Sequence, residues 1–198
     1  MNVRLARLRS QAGLTLMELL VTTALMGILG TGMAATMHMT TQWSSEMTEE
    51  AALQNEVRST LDRMASELRQ AYTGDGTAVL STMTATQITF TSPDRSSPFH
   101  LRRISYRVSG GRLERAFVTS SDSDGPPWSI GALGSWIKQL SGVTSTTVFT
   151  YKDEDGATTT TASQVARVDI AITVKSATTP YRTFSYSTSV GLRAQAPA

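Results

Sequence analysis

The residue with the most unusual setting for chemistry is Glu18. It lies in SQAGLTLMELLVTTALMGILG, residues 10–30, and is the only formal charge between Leu14 and Ser45. An acid costs roughly 2.5 to 3.5 kcal/mol at a bilayer centre, so a carboxylate there calls for a charged partner or for a place near the interface. Two acidic loops offer oxygen ligands at close spacing, Asp122-Ser123-Asp124-Gly125 and Asp153-Glu154-Asp155-Gly156. Asp122, Asp124, Asp153 and Asp155 are therefore candidates for a hard cation such as calcium. Neither loop has the distal bidentate acid of a complete calcium loop, and Asp-Gly is itself good turn chemistry, so no metal is assigned. Catalysis has little support. There is no Gly-x-Ser-x-Gly elbow, and His38 and His100 are far apart in segments of different character. His100 has no evident nucleophile or acid partner in the sequence. The absence of cysteine excludes disulfides, thiol chemistry and Cys-based zinc sites, and nothing implies a cofactor. Arg102, Arg103, Arg107, Arg112 and Arg115 remain as a local basic stretch that either contacts phosphates or forms a solvated strand face.

Bulk charge adds nothing to the phosphate reading. The 198-residue chain has 18 Lys and Arg against 16 Asp and Glu, net +2. Arg4, Arg7 and Arg9 all precede Gly13 and no acid does. Without residues 1–13 the count is 15 against 16, and the charge becomes −1. The apparent basicity belongs to the N-terminus, and the remainder is nearly neutral.

The elements that must position these residues change character along the chain. The apolar run Leu14 to Ala35 is long enough to span a hydrocarbon core of ~30 Å at 1.5 Å per helical residue. The arginines before it place the N-terminus in the cytoplasm and the rest outside. A cleaved secretory signal competes, with a weak site at Gly32-Met33-Ala34-Ala35, but the run is longer than an ordinary signal core and Glu18 interrupts its start. Beyond Thr40 the helical period persists. Trp43, Met47, Ala51, Gln54, Val57, Leu61, Met64, Leu68 and Ala71 make an amphipathic stripe, and Thr73-Gly74-Asp75-Gly76 supplies a stop. The spacing predicts one helix from Leu14 to about Tyr72, with a membrane half and a domain-packing half.

From Ala78 the period becomes two. Strands are expected at Gln87–Thr91, at Ile104–Val108 turning through Gly110-Gly111 into Arg112–Glu114, at Val148–Tyr151, at Arg167–Val174 and at Phe184–Val190. Leu101 and Ile104 are out of phase, which predicts a bulge between them. Ser120 to Gly134 reads as a loop and Ser135 to Leu140 as a short helical turn. One-sided alternation implies antiparallel sheet, with the amphipathic half of the helix as its cover.

Gly13-Leu14-Thr15-Leu16-Met17-Glu18-Leu19-Leu20-Val21 resembles the class III signal of type IV pilins and type II secretion pseudopilins. The resemblance implies cleavage by a prepilin peptidase between Gly13 and Leu14 and N-methylation of Leu14. It implies further that Glu18, then the fifth residue, meets the α-ammonium of a neighbouring subunit, since a desolvated charge is tolerable when paired. A plain signal anchor with Glu18 snorkelling to the interface is the simpler alternative. Many major pilins have a proline near the middle of this helix, whereas residues 14–92 contain none. The order of segments Leu61–Ala71, Ile104–Arg115, Val148–Gly156 and Val168–Val174 is similar to minor subunits of the secretion protein J group and W-type minor pilins.

The fold implied is α+β and pilin-like. Residues 1–13 are a cleaved leader, 14–40 the membrane or filament-core half of the helix, 41–73 its amphipathic half and 74–198 a β-rich head. The function implied is that of a minor pilin or pseudopilin, without enzymatic activity, in the bacterial cytoplasmic membrane and later in a filament or its tip. Its partners would be other pilin or pseudopilin subunits, prepilin peptidase and the inner-membrane assembly platform. The alternatives are a competence pilin binding DNA through the head arginines, and a signal-anchored periplasmic enzyme or binding domain.

Overall fold

In the computed structural model, residues 15–94, 98–122, 128–177 and 181–192 are described. Among the described residues one α-helix, α1 (Leu16–Arg69), is followed by eight strands: β1 (Leu80–Met83), β2 (Gln87–Asp94), β3 (His100–Ser109), β4 (Arg112–Thr119), β5 (Ile137–Ser141), β6 (Phe149–Lys152), β7 (Arg167–Lys175) and β8 (Thr183–Gly191), with a single 3-10 turn at Ala162–Gln164 before β7. The first five form one sheet in the order β1-β2-β3-β4-β5, and the last three form a second, β6-β7-β8. Every pairing is antiparallel. A long N-terminal helix followed by an antiparallel head is the α+β, pilin-like arrangement. The chain divides into two compact units, Met1–Thr48 and Glu49–Ala198, with the boundary inside α1.

In the second unit the helical stripe becomes core. Val57, Leu61, Met64, Leu68 and Ala71 are buried with Ile88, Phe90, Ile104 and Tyr106 of the first sheet and with Val168, Ile170, Ile172 and Val174 of the second. Each fully buried large side chain contributes about 1.5 to 3 kcal/mol, so this contact is the main force holding the helix to the head. Trp43 and Met47, which continue the stripe on the N-terminal side, are exposed.

Two features of the head differ from the sequence-based expectation. No bulge interrupts β3, which pairs in unbroken register with both β2 and β4. Leu101 points away from Ile104 and is buried nonetheless, because residues 128–136 cover that face. Leu101 shares a cavity with Trp128 and Ile130, and Arg107 stacks on Trp136 at 3.9 Å. The register shifts fall instead between Leu80 and Thr82 and between Leu113 and Glu114. The second correction is at Ser135 to Leu140, where a strand forms in place of a helical turn. Pairing with β4 puts Leu140 opposite Leu113, both fully buried, and burial overrides local propensity in so short a segment.

The two sheets are joined by main chain. Val143 bridges Val174, and the Lys175 N–H donates to the Gly142 carbonyl at 2.9 Å. Gly142 has φ +72°, and a Cβ there would lie 2.5 Å from the Lys175 carbonyl oxygen. Only glycine permits so close a crossing.

Candidate functional site: the N-terminal helix and its carboxylate

The described part of the first unit is helical, and its large apolar side chains are exposed. Leu16, Met17, Leu20, Met26, Ile28, Leu29, Met33 and Met37 are all exposed. By length and composition α1 is able to cross a membrane, and none of its most apolar window is buried. Its threonine hydroxyls bond the helix itself. Thr22 donates to the Glu18 carbonyl at 2.8 Å, Thr23 to Leu19 at 2.9 Å, Thr31 to Gly27 at 3.1 Å and Thr36 to Gly32 at 3.3 Å. A hydroxyl that bonds its own helix presents no orphan donor to hydrocarbon, which is the condition a spanning segment must meet.

Glu18 occupies the first turn. The Glu18 N–H donates to Thr15 Oγ1 at 3.2 Å, so Thr15 acts as the cap and Thr15-Leu16-Met17-Glu18 has the spacing of a capping box. An acid at this position also interacts favourably with the positive end of the helix dipole. The Thr-x-x-Glu spacing is the sequence signal for this cap. The Glu18 carboxylate is exposed and makes no ion pair among the described residues. Gly13 and Leu14 lie outside the described residues.

The remaining candidates are placed in loops and strands of the head. Asp122 Oδ2 accepts the Ser129 N–H at 2.7 Å, and hydrogen bonding from the Ser129 side chain, then from this N–H, holds its carboxyl below the usual range. The Asp122 carbonyl takes the Ser120 hydroxyl at 2.8 Å and lies 3.0 Å from His100 Nδ1. Asp153 Oδ1 accepts the Ala157 N–H at 2.8 Å, and Gly156 adopts φ +81°, the geometry of a turn. Asp155 is exposed, and Asp124 lies outside the described residues. Among the described residues no three His, Asp or Glu converge on a point that could hold a metal. His38 is exposed on α1.

The five arginines do not form one basic face. Arg102 and Arg103 are neighbours on β3 and point to opposite sides of the sheet. Arg102 Nε lies 3.9 Å from Asp94, while Arg103 donates to the Gly131 carbonyl at 3.4 Å. Arg107 is paired with Glu114 at 2.9 Å. Arg112 is exposed at the hairpin. Arg115 is buried beneath the sheet, its Nη2 2.8 Å and its Nε 3.2 Å from the two oxygens of Glu67, and Tyr106 Oη donates to the same carboxylate at 2.7 Å.

The helical period alone does not reveal this Glu67–Arg115–Tyr106 cluster, because by that period Glu67 reads as a charge off the apolar stripe. A signal was there. Alternation through Leu113, Arg115 and Phe117 puts Arg115 on the same side as fully buried Leu113, and an inward arginine demands an acid. The cluster fixes α1 to the sheet through a bidentate pair, so it positions the head on the C-terminal half of the helix.

No curated protein matches the chain. Residues 8–34, a short N-terminal stretch of the chain that includes Gly13 and Glu18, match the family model for the prokaryotic N-terminal methylation motif, which supports a precursor of the type IV pilin or pseudopilin kind.

Proposed function

We propose that the chain is a minor pilin or pseudopilin, a structural subunit that enters a type IV pilus or a type II secretion pseudopilus, at or near its tip. The observation that carries this reading is a methylation motif continuous with the apolar first half of α1, whose large apolar side chains are exposed and whose one acid, Glu18, makes no ion pair among the described residues. Prepilin peptidase cuts between Gly13 and Leu14 and the new amine is methylated. Residues 1–13 leave as the leader, 14–40 anchor the precursor and later build the filament core, 41–73 carry the head, and 74–198 form it. The N-terminus starts in the cytoplasm and the head lies outside the cytoplasmic membrane. The inner-membrane assembly platform then draws the subunit into a filament with other pilin-like subunits.

Glu18 has two tasks in this scheme. In the precursor it sits one turn from the cytoplasmic end, where hydration costs little. In the filament it meets the α-ammonium of a neighbour, and a point charge on each partner fixes an axial register that apolar helices specify poorly. N-terminal mass analysis of processed protein tests the first step. A methylated Leu14 is expected, and a start at Met1 or near Thr36 overturns the reading. Glu18→Ala tests the second. It should be inserted and cleaved yet recruited poorly into filaments, and unchanged recruitment would leave Glu18 as a helix-capping acid alone.

A further inference from the structure

Sheet edges expose unpaired main-chain groups, and proteins protect them with short strands, charges, prolines or bulges. Three of the four edges here are protected. β1 has four residues and a register shift. β5 has five, carries Lys138 and borders a register shift. β6 has four, and its outer groups are taken by the Ala85 carbonyl, which accepts from Phe149, and by the Thr159 N–H, which donates to Tyr151.

Among the described residues β8 is the exception. Its nine residues, Thr-Phe-Ser-Tyr-Ser-Thr-Ser-Val-Gly, contain no charge and no proline, and they pair with β7 without a shift. At the two ends of this pairing the Ser176 N–H donates to the Arg182 carbonyl and the Leu192 N–H to the Ala166 carbonyl, each at 2.8 Å. Antiparallel pairs alternate between bonded and non-bonded, so the even residues of β8 bond β7. The odd ones, Thr183, Ser185, Ser187, Ser189 and Gly191, turn their N–H and carbonyl groups outward. All five are exposed. Phe184 and Tyr186 pack only partly against the core at this edge, as if the inner face continued past it.

We propose that this edge binds β8 of a second copy of the chain, antiparallel about Ser187. In that register Thr183 faces Gly191, Ser185 faces Ser189, and Ser187 faces its own counterpart. Every outward residue then falls in a hydrogen-bonded pair. The non-bonded pairs, where side chains approach most closely, become Phe184 with Val190 and Tyr186 with Thr188, all on the inner face. A strand without charge meets no repulsion in its own image. Only a strand fits, because nothing else presents alternating donors and acceptors at the ladder spacing of ~4.8 Å. A two-fold axis normal to a sheet reverses every direction lying in it. The contact therefore relates the two heads by that axis through their β8 edges alone, and it calls on no contact between apolar helices.

The chain has no cysteine, so single thiols can read the register in the full chain solubilised in detergent. Opposed bonded residues have Cα atoms ~5.5 Å apart, within disulfide range. Under mild oxidation Ser187→Cys should yield mainly disulfide-linked dimer. Ser185→Cys alone and Ser189→Cys alone should stay largely uncross-linked, and their mixture should give the heterodimer. Ser187→Pro, which removes an outward N–H, should weaken association at least tenfold. Ser187→Lys, on an exposed side chain, should weaken it several-fold without changing head melting. Equal cross-linking of Ser185→Cys and Ser187→Cys would indicate a dimer made by the apolar helices and overturns the proposal. So does undiminished association of a folded Ser187→Lys chain.

Discussion

Removing the Glu67 side chain tests how the head is held to its helix. Arg115 is only 6% exposed as a side chain and Glu67 15%, and Glu67 accepts both guanidinium bonds and the Tyr106 hydroxyl. Glu67→Ala leaves a buried cation without its anion and a phenol without its acceptor. Arg63, 3.6 Å from Glu67, adds a second positive charge to the same neighbourhood. Breaking a buried pair from one side costs about 3 to 5 kcal/mol. At 2–4 °C per kcal/mol for a domain of this size, that is a fall in Tm of roughly 6 to 20 °C. Glu67→Gln keeps an acceptor but no charge and should lose about 1 to 3 kcal/mol. The decisive variant is Glu67→Leu with Arg115→Met, which removes the whole pair and should recover most of the loss, because a buried ion pair replaced by apolar groups is often neutral. Equilibrium denaturation followed by tryptophan emission, with Trp128 and Trp136 in the head, reads these proteins together with the single variants Glu67→Leu and Arg115→Met. Single variants that each lose less than about 1 kcal/mol and combine additively would refute the claim that this pair anchors the helix.

Burial, reinforced by the Glu67 carboxylate, pushes the Tyr106 phenol far above its ordinary value of 10.0, and burial does the same for Tyr151. A raised native pKa means that the folded state keeps its proton longer than the unfolded chain. The associated stability is therefore complete below pH 10 and declines above it, by about 1.4 kcal/mol per pH unit for each phenol. Tyr151→Phe should flatten the alkaline limb of the stability curve, and phenolate absorbance should appear only together with unfolding. Gly142→Ala combines φ +72° with a Cβ 2.5 Å from a backbone oxygen. It should cost more than about 2 kcal/mol and disrupt the junction of the two sheets, as read by amide exchange at Val143 and Lys175. Neutralising Arg103 and Arg112 together should leave retention of the full chain on DNA unchanged at every salt concentration; a fall in the salt slope would restore the nucleic-acid alternative.

Local pattern was enough for the parts of this protein whose physics is local. Period 3.6 from Val57 to Ala71 marked the face that enters the core, and period two marked β7, because each residue there answers only to which side is wet. Gly110-Gly111 marked the hairpin, with φ +55° and +71°, since positive φ leaves little choice of residue. The spacing from Gly13 to Glu18 is legible in the sequence because a carboxylate is expensive in an apolar run. Tertiary structure decided wherever the controlling neighbour lies far along the chain. Leu101 looked out of phase until residues 128–136 covered the second face of β3. Residues 135–140 looked helical until β4 offered a pairing edge. Arg115 and Glu67 are 48 positions apart, and no window of sequence shows that one neutralises the other. The open edge of β8 is likewise a property of topology: its uncharged alternation is visible in the chain, but only the strand order leaves it last in its sheet.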